Sequence, residues 1–589
     1  MRRSHPVLIT IFLLAAACGA CREPLESPQR PREIKVPEYL ENTIGERAII
    51  SGGDAVLVQG LGLVTGLAGT GSTAHPPGIR NRMLKIITQH EVPNPETVLA
   101  DPNTAVVFIS GYIPPGSRPG EPFDLVLTAA PGTQTTSLEG GTLLGSELYR
   151  VEMTRTGSAP GKALALGEGE LFVSPFVVED AGRPASEGAP QARGGLRLID
   201  SAPAPEPAPE TPGAEEPTRR TAPTAAWILG GGRCRYTRNF FLNLLEPSER
   251  TAQQIIRHIN ARFPGAARGN IDPGIIDLTV PADYAHDKLR FLEVVNAIYL
   301  IDSPDQRERR IRELVAKLRA GRDPTGIMAA MEAFGKPTIP LVEPLLRDPD
   351  AGVRFCAAEV LCRLDQPIAI QTLEAFVRDD ASPHQERAVL ALGELSGASA
   401  AGVIHRGFSA KSPRVRIASY LTLRRVAPTL LDAMDIPGRL ELGVVKAGDD
   451  PFIFVSRQIK PRIVIFGDAA IDPPLLVTTP RLLVSAIQGD DRVAMASKEF
   501  GWQNVIRPRL ALVDIIVTMA GWPRIDMDRP KLNALDLSYS DVVGFLDQAS
   551  RQGALKAPIV YEPVAFVGPE TDLTAPLEDA TGDIVIPEK

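Results

Sequence analysis

From Ser303 to Leu430 the sequence repeats, and the repeat demands helices. Val353-Arg354, His384-Gln385 and Val415-Arg416 follow one another in steps of 31 residues. Leu361, Leu392 and Leu423 keep that step, and so do Ala357, Ala388 and Ser419. A partial earlier copy lies around Ile327–Phe334. Charged residues and helix formers dominate throughout. A helical pair of this length cannot bury its apolar face alone, so the copies must stack into one continuous core. The expectation is an α-solenoid, with an irregular helical bundle as the alternative. Because the chain changes character at both borders, residues 303–430 read as an insertion that folds by itself.

The flanks are patterned for strands. Asn103–Tyr149 holds apolar runs at Ala105–Ile109, Phe123–Leu127 and Thr142–Leu144, separated by Pro114–Gly120, Pro131–Gly132 and Gly140–Gly141. Runs this short, bounded by Pro and Gly, predict a small antiparallel sheet. Trp227–Ile301 predicts strands at Phe240–Leu245 and Gly274–Val280, each followed by a helix (Pro247–Arg262, capped by Ser248, and Tyr284–Tyr299). Further on, Ile463–Phe466, Leu475–Thr478 and Arg481–Ile487 are strand-like, and Arg509–Met519 is a strand or a short buried helix. Ser540–Gln552 predicts a helix with Ser540 as N-cap and Gly553 as its stop.

The 54 Pro and 51 Gly among 589 residues exceed the usual combined share of about 12%. Many turns and a linker follow. Ala181–Pro223, with its SAPAPEPAPETPGAEEP core, is that linker, too polar and Pro-rich to bury a core. The acidic stretch 563–589 reads as a tail.

Arg2 and Arg3 precede the apolar Val7–Ala17, which has the length of a signal-peptide core. Cys18, after three alanines, has the setting of a lipidated cysteine. Secretion after Ala17 or Ala20 is the alternative. Of the remaining cysteines, Cys21, Cys234, Cys356 and Cys362 suggest no disulfide framework. Cys356 and Cys362 point to different sides of one predicted helix. No internal run approaches the ~18 apolar residues of a membrane span. A net charge of −8 gives no whole-chain attraction to nucleic acid.

Chemistry is suggested in two places and fails in both. Gly60-Leu61-Gly62 with Gly66 approaches a dinucleotide-binding fingerprint, but the last glycine is a residue late and no acidic residue stands about twenty positions on. Gly157–Lys162 approaches a phosphate loop but is a residue short and lacks the following Ser or Thr. The seven His are scattered without metal spacing. No catalytic, cofactor-binding or metal site is expected.

Three ordered segments resemble the bacterial flagellar P-ring protein family. Val58–Thr73 (VQGLGLVTGLAGTGST) resembles its GYGLV-x-GL-x-GTGD segment, and PPGSRPGEPFDLVLTA followed by SLEGGTLL resembles its RPG strand and SL-x-GGTLL. Ala163–Phe176 (ALALGEGELFVSPF) and, near the C-terminus, Leu537–Ile559 are also similar. DPDAGVRFCAAEVL and SPRVRIASYLTL resemble HEAT repeats, which the P-ring family lacks.

The resemblance implies an exported, non-enzymatic structural protein that assembles a homo-oligomeric ring around the flagellar rod in the periplasm, beside the L-ring. It implies an α+β multidomain chain: a β-rich N-terminal domain and small strand–helix modules, interrupted by a HEAT-like α-solenoid. The expected division is 1–21 signal peptide, 22–46 spacer, 47–180 P-ring-like domain, 181–223 linker, 224–302 α+β module, 303–430 helical repeats, 431–562 β-rich region with a closing helix, and 563–589 tail. Subunit contacts are expected near Gly60, Gly62, Gly66, Pro114, Pro115, Arg118 and Glu121. The rival reading is a cell-envelope adaptor that binds a protein partner through the repeats, anchored at the outer membrane by Cys18.

Overall fold

The computed structural model describes residues 37–89, 93–154, 157–173, 224–301, 303–397, 399–446, 450–479, 481–521 and 533–562. The expectations for the signal peptide with Cys18, for 181–223 and for 563–589 lie outside the described residues.

After β1 (Ala48–Ser51) come β2 (Val56–Thr65), β3 (Ala105–Ile113), β4 (Pro122–Ala129), β5 (Thr142–Thr154), β6 (Gly157–Glu170) and β7 (Ala225–Cys234). These six close into a barrel of order β2-β3-β4-β7-β6-β5. The small sheet expected here is corrected. β3 and β4 pair antiparallel, but β5 pairs with β2 and β6. Closure buries Val58, Val107, Ile109, Phe123, Leu125, Leu127 and Leu148 in one interior and leaves no edge to protect. The helix Pro77–Gln89 lays Met83 and Ile87 on the outside, against Leu61, Leu63 and Val106. β7 was expected inside the α+β module 224–302. It belongs to the barrel, because the outer backbone groups of β4 and β6 need a partner.

β8 (Phe240–Leu244), β9 (Ala267–Gly269) and β10 (Ile275–Leu278) join β1 in an antiparallel sheet of order β1-β8-β10-β9. The helices Glu249–Arg262 and Lys288–Asn296 pack Ile255, Ile259, Phe291 and Val295 with its buried side chains Phe240, Leu242, Ile276 and Leu278. Ser248 caps the first of these helices by accepting from Thr251 N–H. The expected spacer 22–46 is corrected over its last residues. Leu40 and Ile44 are buried in this core, and Ile44 N–H donates to Ile298 O at 3.0 Å. Two apolar side chains and a waiting carbonyl outweigh the polar residues around them.

From Pro304 to Val426 the chain is helical, with longer helices at Pro304–Arg319, Pro324–Phe334, Ala351–Arg363 and Pro413–Val426. Asp323 and Asp350 cap two of them, accepting from Gly326 N–H and Val353 N–H. The sequence period recurs in space. Asp365 accepts from Ser396 N–H, Asp380 accepts from Lys411 N–H and Glu394 pairs with Arg425, each across 31 residues. Cys356 and Cys362 are buried and form no disulfide.

The C-terminal part holds a sheet of order β11-β12-β14-β13-β18, from β11 (Asp432–Ile436), β12 (Leu440–Val445), β13 (Phe452–Val455), β14 (Arg462–Phe466) and β18 (Ile559–Tyr561). β15 (Leu475–Thr478), β16 (Leu482–Ala486) and β17 (Ala494–Ser497) form a second, three-stranded sheet. The larger sheet is covered on both faces. Val464 and Phe466 join the core of the helical segment, while Ile463 and Ile465 join a second core with the helices Leu512–Ala520 and Tyr539–Arg551. Arg509–Met519, left open between strand and helix, supplies most of the first of these. The expected N-cap Ser540 is corrected to Ser538, which makes a reciprocal capping box with Asp541.

The helical segment is tied to this sheet by a buried carboxylate. Glu441 on β12 is 1% exposed. Arg424 donates to both its oxygens at 3.0 and 3.1 Å, Arg462 at 3.1 Å, and Lys460 stands at 3.2 Å. Burial opposes the charge, but these hydrogen bonds and cations hold the Glu441 carboxyl at about 2. A depressed folded pKa gives stability that is complete above the ordinary glutamate value and lost as pH falls through about 2. Glu441→Gln should flatten the fall of the urea midpoint across that window. An unchanged slope would show that the carboxylate contributes nothing.

Candidate functional site

The resemblance places its contact residues around β2 and the loop between β3 and β4. Gly60 and Gly62 lie on β2, not in a loop. A Cβ on Gly60 would stand 2.6 Å from Glu147 O, and one on Gly62 would meet Ile109, Leu143 and the Ser146 hydroxyl at 2.6–2.7 Å. These glycines let β5 approach β2 inside the barrel, and Gly62 is buried there. Gly66 is exposed just after the strand, at φ +82°. The dinucleotide-like spacing therefore has no helix to open onto. Gly157–Lys162 likewise runs along β6, and the Lys162 ammonium sits 3.8 Å over the Tyr236 ring.

The loop Pro114–Gly120 was expected to project. It is mostly held down by its own chain. Ser117 is buried and donates to Pro114 O at 2.7 Å. Gly116 takes φ +63° against the Phe240 ring, where a Cβ would come within 2.5 Å. Lys288 donates to Gly116 O at 3.0 Å and pairs with Glu121 at 2.6 Å. Arg238 donates to Ile113 O and Pro114 O, both at 2.9 Å, and to Asp54 O. Pro114 and Pro115 are half-buried, and the exposed tip is Arg118–Gly120. Glu121 thus holds the barrel to the α+β module. Lys288 and Arg238 give no sign of this in sequence, since they sit more than a hundred residues downstream of the loop. Cys234 lies buried beside this loop as a free thiol, and burial pushes its pKa up.

The barrel is also clamped to the C-terminal part. Asp124 Oδ1 accepts from Gly230 N–H at 2.6 Å and from Ile459 N–H at 2.7 Å. Arg439 bridges Glu170 at 2.5 Å and Asp536 at 2.9 Å. The Phe172 ring lies 5.4 Å from Tyr539, and Ser540, freed from capping, accepts from Val173 N–H. Asp124 with Ile459, Glu170 with Arg439, Phe172 with Tyr539 and Val173 with Ser540 join the barrel wall or the segment after β6 to residues beyond 438. Among the described residues, no cluster of three His, Cys, Asp or Glu side chains could hold a metal ion, and no helix is long and apolar enough to cross a membrane.

The three resembling segments lie along β2, along the loop after β3 with β4 and β5, and along β6 of the barrel. Residues 44–193 match the flagellar P-ring protein family. The flagellar P-ring protein of Anaeromyxobacter sp. (strain K) is 25% identical over 260 residues, 43% of this chain and 58% of its own length. That of Thermotoga maritima is 28% identical over 239 residues, 41% of this chain and 61% of its own. That of Pseudomonas entomophila is 28% identical over 252 residues, 42% and 59%. The chain spans about six tenths of the length of these P-ring relatives. The P-ring family match begins at the buried Ile44 and takes in six of the first seven strands, β1 to β6.

Proposed function

We propose that this chain is a structural subunit of the bacterial flagellar basal body that builds the periplasmic P ring around the rod. It works without a catalytic site or cofactor. The observation that carries this reading is the P-ring family match over residues 44–193, which falls on the barrel and its buried entry segment. Ring assembly is mechanical. It needs rigid subunits with complementary faces, and the clamps at Asp124, Arg439 and Glu441 supply rigidity by joining barrel, helices and C-terminal sheets.

The helical segment is a HEAT-like solenoid in this reading, supported by its 31-residue side-chain bridges. Its outward surface is free to take a protein partner in addition to rod and L-ring proteins. That leaves the adaptor as the second reading, favoured by the presence of a segment that the P-ring resemblance does not cover. In both, export follows from residues 1–21 and anchoring at the outer membrane from Cys18. Among the contact residues, Gly66 and Arg118 stay candidates because they are exposed, whereas Gly62 serves the barrel and Glu121 serves Lys288.

Purified basal bodies decide between the two. The ring reading expects the protein in stoichiometric amounts beside rod proteins, and loss of motility on deletion. Basal bodies that lack it, from cells that still swim, would move the assignment to the adaptor. Fractionating the same cells with Cys18→Ser tests the anchor. The substituted protein should leave the membrane fraction, and retention there would remove the lipid from the reading.

A further inference from the structure

We infer that two sheet faces left bare among the described residues are the two halves of one head-to-tail contact between copies of the protein. The inference rests on the ring reading and says which surfaces would carry it.

The first face is the open side of β1-β8-β10-β9. Side chains alternate across a strand. Ala48, Leu242, Leu244, Ile276 and Leu278 point into the core. Ile49, Phe241, Asn243, Leu245 and Ile275 therefore point the other way. Register makes them neighbours: Ile49 lies opposite Asn243, and Asn243 opposite Ile275. Ile49 and Leu245 are each 50% exposed. Near the middle the Asn243 amide donates to Ser51 Oγ at 3.0 Å. The rim is charged. Arg268 lies opposite Asp277, and Arg47 is exposed next to Leu245.

The second face is the open side of β15-β16-β17. Leu475, Val477, Val484 and Ala486 are buried below it. Leu476 and Leu483 point outward, 61% and 37% exposed, and Ile487 follows on the same side at 71%. Asp490 and Asp491 are exposed beyond Ile487, opposite in sign to Arg47 and Arg268, with Arg492 beside them donating to Arg507 O. The edge of this sheet is closed. The Gln552 amide accepts from Leu476 N–H at 3.1 Å and donates to Leu476 O at 2.7 Å, in the manner of a paired strand. An added strand would have to displace it, so the sheet offers its face and not its edge.

A second copy is the occupant that accounts for both faces together. An isologous pair would use one face twice and leave the other bare, whereas a heterologous contact covers both and can close into a ring. Three or four strands ~4.8 Å apart and about four residues long give roughly 200–250 Å² of sheet, polar residues included. A stable interface takes about 800 Å² per partner. The faces thus form the dry centre of a contact whose charged rims make up the rest.

The test uses two full-length variants, Ile49→Arg/Leu245→Arg and Leu476→Arg/Leu483→Arg, with serine in place of arginine should either lose its wild-type thermal melt. Sedimentation velocity is run at concentrations where the wild type assembles, with rod proteins added if they are needed. Each variant alone should be monomeric, its association weakened at least tenfold. Their mixture should give one-to-one dimers and nothing larger, since each pair has one intact head and one intact tail. Variants that assemble like the wild type would overturn the face assignment and leave the ring reading standing. A variant that still dimerises alone would show an isologous contact and overturn the head-to-tail geometry. A wild type that stays monomeric with rod proteins present would overturn the ring reading, and this inference with it.

Discussion

Replacing Glu332 by alanine is expected to cost about 3–5 kcal/mol of unfolding free energy. Glu332 is wholly buried on the helix Pro324–Phe334. Arg290, on the helix Lys288–Asn296 of the α+β module, meets it at 2.7 and 2.9 Å. Tyr284 donates to its other oxygen at 2.6 Å, and Arg290 also reaches Glu293 at 3.0 Å. Burial works against the Arg290 charge, but the Glu332 carboxylate more than offsets it and holds the guanidinium above its ordinary range. Alanine would leave that charge buried with only the half-exposed side of Glu293 to answer it. The penalty comes from the orphaned cation, not from the worth of the pair. Arg290→Met with Glu332→Leu should therefore cost much less than Glu332→Ala alone, because no charge is left behind. Urea unfolding measures all three proteins. A loss below about 1 kcal/mol for Glu332→Ala would mean that water or another carboxylate reaches Arg290, against the burial argued from this site.

What could be read from the sequence was local, and what could not was pairing over distance. The helix start at Ser248 follows from a capping residue and the apolar residues behind it. The run Ile463–Phe466 reads as a strand because every residue in it is apolar, and the structure gives the reason: alternate side chains enter two different cores. Barrel closure was not legible. β6 ends at Glu170 and its partner β7 begins at Ala225, so no local pattern links them. The loop Pro114–Gly120 looked like a projection because its own residues are Pro, Gly and Arg, while the side chains that hold it, Arg238 and Lys288, lie in other elements. Ser540 was expected as the N-cap, and the structure gives that role to Ser538. The contact of Ser540 with Val173 N–H, across 367 residues, separates their roles. The bare faces were hidden for the same reason: Ile49 and Leu245 become neighbours only once the β1–β8 register is known.

Residues 303–430, cut out and expressed alone, are expected to keep helical circular dichroism but not to melt cooperatively. The sequence, with its abrupt change of composition at both borders, predicted the opposite. The difference lies in the core. One hydrophobic cluster runs from Leu40 through Phe291 and the helical segment to Phe452, Phe454, Val464 and Phe466, with no break at either border. At the far end Arg416 lies 4.7 Å over the Phe452 ring and donates to Asp450 O at 2.7 Å, and Glu441 binds Arg424. At the near end Glu332 loses Arg290. Each apolar side chain stripped of cover costs about 1.5–3 kcal/mol. Five of them remove roughly 10 kcal/mol, as much as a domain usually has in total, about 5–15 kcal/mol. The Glu332 carboxylate left without Arg290 at the near end, and the Arg416 and Arg424 cations left without Asp450 and Glu441 at the far end, add to the loss. Thermal circular dichroism with a dye that reports exposed apolar surface is the measurement. A broad, featureless melt with strong dye binding is expected. A sharp transition near that of the intact protein, with no dye bound, would show that the helices close their own core and that the flanking sheets only rest against it.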